Sequence, residues 1–205
     1  MTGGATMRPT INPQGGLRAF RRQLAGGHQT MDFNTDHFSL LGLPREFRVD
    51  AVLLDRRYLE MQSQVHPDRF ARAGEADRRL SLQWATRVNE AYQTLKQPLA
   101  RAQYLLHLAA HDIGSDNNAL MPADFLVDQM EWREAVEEAR AAGEHHELEH
   151  LHHRLKREML DRYDELAVLL DDRHDLDLAA DRVRRMMFFD KLLADIDDAM
   201  AECEE

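Results

Sequence analysis

The residues of this chain best suited to chemistry within a short span are His66-Pro67-Asp68. Proline locks φ and removes an N–H, so it stiffens the chain on either side. Asp68 is an acceptor able to take a forked hydrogen bond from an arginine. His66 is a neutral or cationic donor according to its surroundings. Covalent chemistry needs none of these properties. A stiff loop that displays them suits binding one conformation of a partner protein better than another. Alone the tripeptide is a weak signal, because Pro-Asp after a helix is ordinary turn chemistry.

A second cluster is His145, His146, His150, His152 and His153. His146 and His150 are four apart and His153 is three further on, a spacing that can hold a divalent ion. These three lie opposite the stripe Leu148–Leu151–Leu155–Met159, so they read as solvated surface, and no resident metal or other cofactor is expected. No glycine-rich phosphate loop and no nucleophile beside a base is present, so the chain does not read as an enzyme. Cys203 is the one cysteine. It makes no internal disulfide and cannot ligate an iron–sulfur cluster alone. That fits a reducing compartment, here taken as the cytoplasm.

The elements that must position the tripeptide are helical. Hydrophobic residues are 43% and charged residues 31% of 205, a globular balance. Leu, Ala, Glu, Asp and Arg dominate, and most of these favour helix. The net charge of −11 argues against nucleic acid, which needs clustered Lys and Arg. No run of eighteen apolar residues is present to span a membrane.

Residues 1–35 carry six glycines, Pro9 and Pro13, with no acid before Asp32. They read as a disordered N-terminal extension, with Met31 a possible second start. His37–Leu41 reads as a brief helix stopped by Gly42 and Pro44. Asp50 caps a longer helix carrying Leu53, Leu54, Tyr58, Met61 and Val65. Pro67 ends it. A third helix is expected over Glu75–Lys96, with Leu80, Trp84, Val88, Ala91, Tyr92 and Leu95 inward. Pro98 breaks it, and Leu99–Ala110 forms another. Residues 111–122 have linker composition. Three further helices are expected over Ala123–Ala142, Glu144–Leu170 and Asp175–Glu202. Gly143 and Asp171-Asp172 separate them, and the short connections imply an antiparallel three-helix bundle over 123–205.

In that context the tripeptide gains force. "VHPDRF" follows an amphipathic helix, "VNEAYQTL" lies on the next, and Arg101-Ala102-Gln103-Tyr104 follows the proline break. From Phe38 to Tyr104 this resembles the J-domain family. The resemblance implies a J domain over 36–110. Its His66, Pro67 and Asp68 would dock on a DnaK-type chaperone and promote ATP hydrolysis, with Arg56, Arg57 and Arg69 as further contacts. Two positions depart from the family: Val65 stands where tyrosine is frequent, and Ser63 where a basic residue is common.

On the first bundle helix, Phe125, Trp132, Val136 and Ala139 share one face. Leu126, Val127 and Met130 point away from it, beside Glu131, Glu134 and Glu138. Apolar residues rimmed by acids on an outer face read as a partner surface. On the last helix Met186, Phe189, Leu193, Ile196 and Met200 form the expected core stripe. Phe188 lies off it, either as partner surface or packed against Leu126 or the first domain.

With "FSLLGLP", "RAQYLLHL", "FLVDQMEWREAVEE" and "VRRMMFFDKL", the chain from Asp36 to Met200 resembles the HscB family of iron–sulfur co-chaperones. The resemblance implies an L-shaped all-α protein, an HscA chaperone partner and an IscU scaffold bound through the bundle. The matching contact positions are Leu126, Val127, Met130, Glu131, Glu134, Glu138 and Phe188. Val127 and Met187 depart from the usual methionine and basic residue. Eukaryotic relatives with an N-terminal cysteine-rich zinc module differ from this chain, which looks like the bacterial type. Two rival readings are a general J-domain co-chaperone for unfolded clients and a metal-buffering helical protein.

Overall fold

The computed structural model describes residues 33–71, 74–111, 113 and 122–203. The extension up to residue 32 and most of the linker lie outside them. Every regular element among the described residues is helical. They are α1 (His37–Leu41), α2 (Ala51–Val65), a 3₁₀ turn (Pro67–Phe70), α3 (Glu75–Lys96), α4 (Pro98–Leu108), α5 (Ala123–Ala142), α6 (His145–Ala167), a π turn (Val168–Arg173) and α7 (Leu176–Cys203).

Local chemistry sets the starts and stops. Asp36 accepts the Ser39 N–H at 3.1 Å and caps α1. Gly42 ends it at φ +63°, a left-handed conformation that glycine adopts without strain. Asp50 accepts the N–H groups of Val52 and Leu53 at 2.9 and 3.2 Å, capping α2. Pro98 sits at the first position of α4, where its missing N–H costs no hydrogen bond. Gly143, at φ +64°, reverses the chain between α5 and α6.

The chain divides into two compact units. One holds residues up to 44 together with 50–93; the other holds 45–49 and 94 onward. In the first, Phe38, Leu41, Leu54, Met61, Val65, Phe70, Trp84 and Val88 are buried. Packing there reaches upstream of Asp36, because Phe33 stacks on Trp84 with centroids 4.2 Å apart.

In the second unit α7 packs against α4, α5 and α6. With neighbours on several sides its buried arc is wide: Val183, Met186, Phe189, Leu192, Ile196 and Ala199. Leu193 and Met200, expected in the core stripe, are only partly buried, and Leu192 and Ala199 take the interior. Helix α4 contributes Leu99, Ala102 and Leu106 to this core. By packing it therefore belongs with the bundle, although its sequence motif runs on from the first domain.

Asp171-Asp172 does not end the sixth helix as expected. The helix widens into the π turn, and His174 at φ +53° makes the reversal. The reason is non-local. Asp171 accepts the N–H groups of Phe47 and Arg48 at 2.6 and 2.9 Å, and the Arg48 guanidinium forks onto Asp172 at 2.9 and 2.8 Å. That hydrogen bond holds the Asp172 carboxyl below its ordinary range. Phe47 is buried beneath the Arg101 guanidinium, 5.0 Å from its ring centre.

Two histidines tie stability to pH. Burial, then the charge of Arg87, lowers the His37 pKa from 6.5; burial, then Lys156, lowers that of His152. A depressed folded-state value means that the unfolded chain binds the proton more readily. Stability is therefore complete above pH 6.5 and is lost as the pH falls from there through the folded values. Chemical denaturation between pH 7.5 and 5.5 should show this slope, and His37→Gln should make it shallower, leaving the part due to His152. An unchanged slope in the variant would discard His37 as one of the sources.

Candidate functional site

Helix α2 delivers the tripeptide. His66 has φ −57° and ψ 129°, the extended conformation that a following proline imposes. Its Nδ1 accepts the Asp68 N–H at 3.3 Å, capping the 3₁₀ turn. Accepting there requires that Nδ1 carry no proton, so the neutral ring bears it on Nε2; this tautomer follows from the hydrogen-bond geometry. The Arg69 N–H returns to the His66 carbonyl at 3.0 Å, and Phe70 is buried, anchoring the far end of the turn.

Two residues of the tripeptide thus build the turn and the third is displayed by it. The Asp68 side chain is 89% exposed, and its Oδ2 lies 3.6 Å from His66 Nδ1. With Nδ1 unprotonated that contact is no ion pair. A carboxylate held at the tip of a stiff turn, with its lone pairs open to solvent, is suited to an incoming guanidinium.

The expected basic contacts divide. Arg56 and Arg57 both lean on Glu60, at 3.9 and 3.3 Å, on the open face of α2. Exposed pairs of this kind are weak, so a partner's carboxylates can displace them. Arg69 instead supports the helix end. Its guanidinium donates to the Ser63 carbonyl at 3.0 Å, satisfying the last turn of α2. Ser63 occupies the position where a basic residue is common in the family.

A brace between α2 and α3 carries no signal in hydrophobic spacing alone. Tyr58 and Tyr92 stack with centroids 4.0 Å apart. The Tyr58 hydroxyl donates to Asn89 at 2.7 Å and accepts from Gln62, while the Tyr92 hydroxyl donates to Asp55 at 2.8 Å. Asp55, Tyr58 and Gln62 descend α2 at three- and four-residue steps toward His66, so this ladder fixes the helix rotation that aims the turn.

In the second unit, α5 buries Phe125, Trp132, Val136 and Ala139 as expected. At about 100° per residue, Leu126, Met130, Glu134, Val127, Glu138 and Glu131 follow one another around the opposite arc. Met130 is 71% exposed and Val127 53%. The three glutamates are exposed and Leu126 is half-buried. Phe188 is half-buried too. Its ring meets Phe125 edge-on at 5.9 Å and Phe189 at 5.6 Å, and the Arg133 guanidinium lies 5.2 Å over it. It therefore packs against the core from the edge of this arc rather than standing free on it.

Known proteins resemble this chain over most of its length. A co-chaperone protein HscB homolog from Aromatoleum aromaticum is 54% identical over 175 residues, 85% of this chain and 99% of its own length. The chain belongs to the HscB co-chaperone family. An HscB homolog from Azoarcus sp. is 52% identical over 174 residues, 85% of this chain and 98% of that protein. Residues 121–197 match the family described as the HSCB C-terminal oligomerisation domain. The crystal structure of human co-chaperone protein HscB superposes with a TM-score of 0.76 at 30% identity, covering 82% of this chain and 84% of that one. Chaperone HscB from Vibrio cholerae gives 0.71 at 33% identity, covering 82% and 99%. The all-helical architecture, an N-terminal J domain followed by a C-terminal bundle, is that of the HscB structures. Among the described residues no helix is long and apolar enough to cross a membrane.

Proposed function

We propose that this HscB-family chain stimulates the ATPase of an HscA-type, DnaK-like chaperone and brings it an IscU-type scaffold, supporting maturation of iron–sulfur proteins in the cytoplasm. Residues 36–110 act as the J domain and 123–205 as the scaffold-binding bundle. His66, Pro67 and Asp68 engage the chaperone, with Arg56, Arg57 and Arg69 beside them. Leu126, Val127, Met130, Glu131, Glu134, Glu138 and Phe188 engage the scaffold. The observation that carries this reading is the Asp68 carboxylate, presented to solvent by a turn that Pro67 and His66 hold rigid.

The mechanism requires no covalent step. The chaperone conformation that offers a guanidinium to Asp68 is favoured over one that does not, and the shift equals the difference in binding free energy. The exposed apolar residues of α5 bury against the scaffold, and the surrounding glutamates steer a basic surface toward them.

Steady-state ATP hydrolysis by the HscA-type chaperone of the same organism tests this. Adding the chain should raise the rate, and adding the IscU-type scaffold should raise it further. No stimulation by folded protein would remove the reading. Stimulation by unfolded clients in place of the scaffold would support the general co-chaperone alternative.

A further inference from the structure

We infer that Arg133 orients the docked scaffold by receiving one of its carboxylates at the margin of the α5 arc, an inference that rests on the scaffold-binding reading above. Arg133 is exposed, seven residues after Leu126 and so about 20° from it around the helix axis. Glu131 stands about 160° from Arg133, at the other margin of the arc. Glu137 follows Arg133 by one turn, the spacing at which Arg56 pairs with Glu60 at 3.9 Å and, in the reverse order, Arg185 with Asp181 at 3.1 Å. The Arg133 guanidinium lies instead 5.2 Å from the centre of the Phe188 ring, and among the described residues no carboxylate pairs with it. The negative face of an aromatic ring attracts a cation. Stacking there restrains the planar fork and leaves its N–H edge for a partner.

The chain has a net charge of −11, and Glu131, Glu134 and Glu138 share the arc, so an arginine without a carboxylate gives the docking face two signs. A guanidinium matches a carboxylate through two parallel N–H···O bonds. The scaffold surface that fits therefore carries an Asp or Glu opposite Arg133 and basic groups opposite the glutamates. Turned by half a revolution, it would set its carboxylate against the glutamates and its basic groups against Arg133. Like charges in apposition disfavour that arrangement. Burial of Leu126, Val127 and Met130 cannot make this distinction, because the hydrophobic effect is non-directional.

Arg133→Gln separates a specific pair from simple attraction between an acidic face and a basic scaffold. Removing a positive charge makes the face more acidic, so attraction alone would quicken association and tighten binding. Losing a desolvated pair speeds dissociation instead. Calorimetry and stopped-flow mixing of the full chain with the IscU-type scaffold of the same organism should show binding weakened at least about tenfold, mainly through dissociation. Arg133→Lys keeps the charge without the fork and should recover part of the loss. Thermal melting reports any change in packing on Phe188. Binding by Arg133→Gln equal to wild type or tighter would overturn the inference and leave the scaffold reading standing. Equal losses in the glutamine and lysine variants would assign Arg133 to packing on Phe188 and overturn it as well. Absence of scaffold binding by the wild type would remove both the reading and the inference.

Discussion

Asp68→Asn should abolish chaperone stimulation while leaving the fold and scaffold binding unchanged. The turn uses the backbone of residue 68 and not its carboxylate: its N–H is held by His66 Nδ1, and its carbonyl accepts the Ala71 N–H at 3.3 Å. Asparagine keeps the size, removes the charge and replaces one acceptor oxygen with an NH₂ donor. Losing one partner of a docked charge pair costs about 2–5 kcal/mol, much of it from the guanidinium left desolvated. That is at least roughly thirtyfold in affinity. The measurement is the ATP hydrolysis rate against co-chaperone concentration, with thermal melting as the control for folding. Stimulation within twofold of wild type at equal concentration would sink the assignment of Asp68. His66→Ala and Pro67→Ala are less informative, because His66 caps the turn and Pro67 stiffens it, so both also alter the backbone that presents Asp68.

The parts legible in the sequence are those set by neighbours along the chain. Glu75–Lys96 and Ala123–Ala142 form helices at the expected bounds, since Pro98 and Gly143 are local stops and the apolar spacing between them is regular. The outward face of α5 is legible for the same reason: three apolar residues among glutamates cannot share an arc with Phe125 and Trp132. The pairing of Asp171 with Phe47 is not, because two acids after a helix look like a break until two amides from more than a hundred residues away bond the first and a guanidinium bonds the second. Helix α7 misleads in another way. A single stripe presumes one neighbour, and its three neighbours pull Leu192 and Ala199 inward while Leu193 and Met200 shift to the margin. Phe188 is ambiguous in the sequence because its rotation about the helix axis does not say whether Phe125 is close enough to receive it.

That ambiguity decides which substitution isolates the scaffold surface. Phe188→Ala would remove a half-buried ring from contact with Phe125 and Phe189. Edge-on and tilted ring pairs are worth about 0.5–1.5 kcal/mol beyond their buried area, so the variant loses bundle stability along with any docking contact. Val127 and Met130 suit the test better, since they are 53% and 71% exposed. Val127→Ala with Met130→Ala should leave the melting temperature and the scaffold-independent stimulation intact. It should weaken scaffold binding by about 2–4 kcal/mol, roughly thirty- to a thousandfold, if these residues anchor the interface. Replacing Glu131, Glu134 and Glu138 with glutamine should act differently, slowing association and flattening its dependence on salt. Calorimetry for affinity and stopped-flow for association separate the two classes. Equal scaffold affinity in wild type and the double variant would detach this arc from the scaffold. Loss of scaffold-independent stimulation would instead assign the arc to the chaperone.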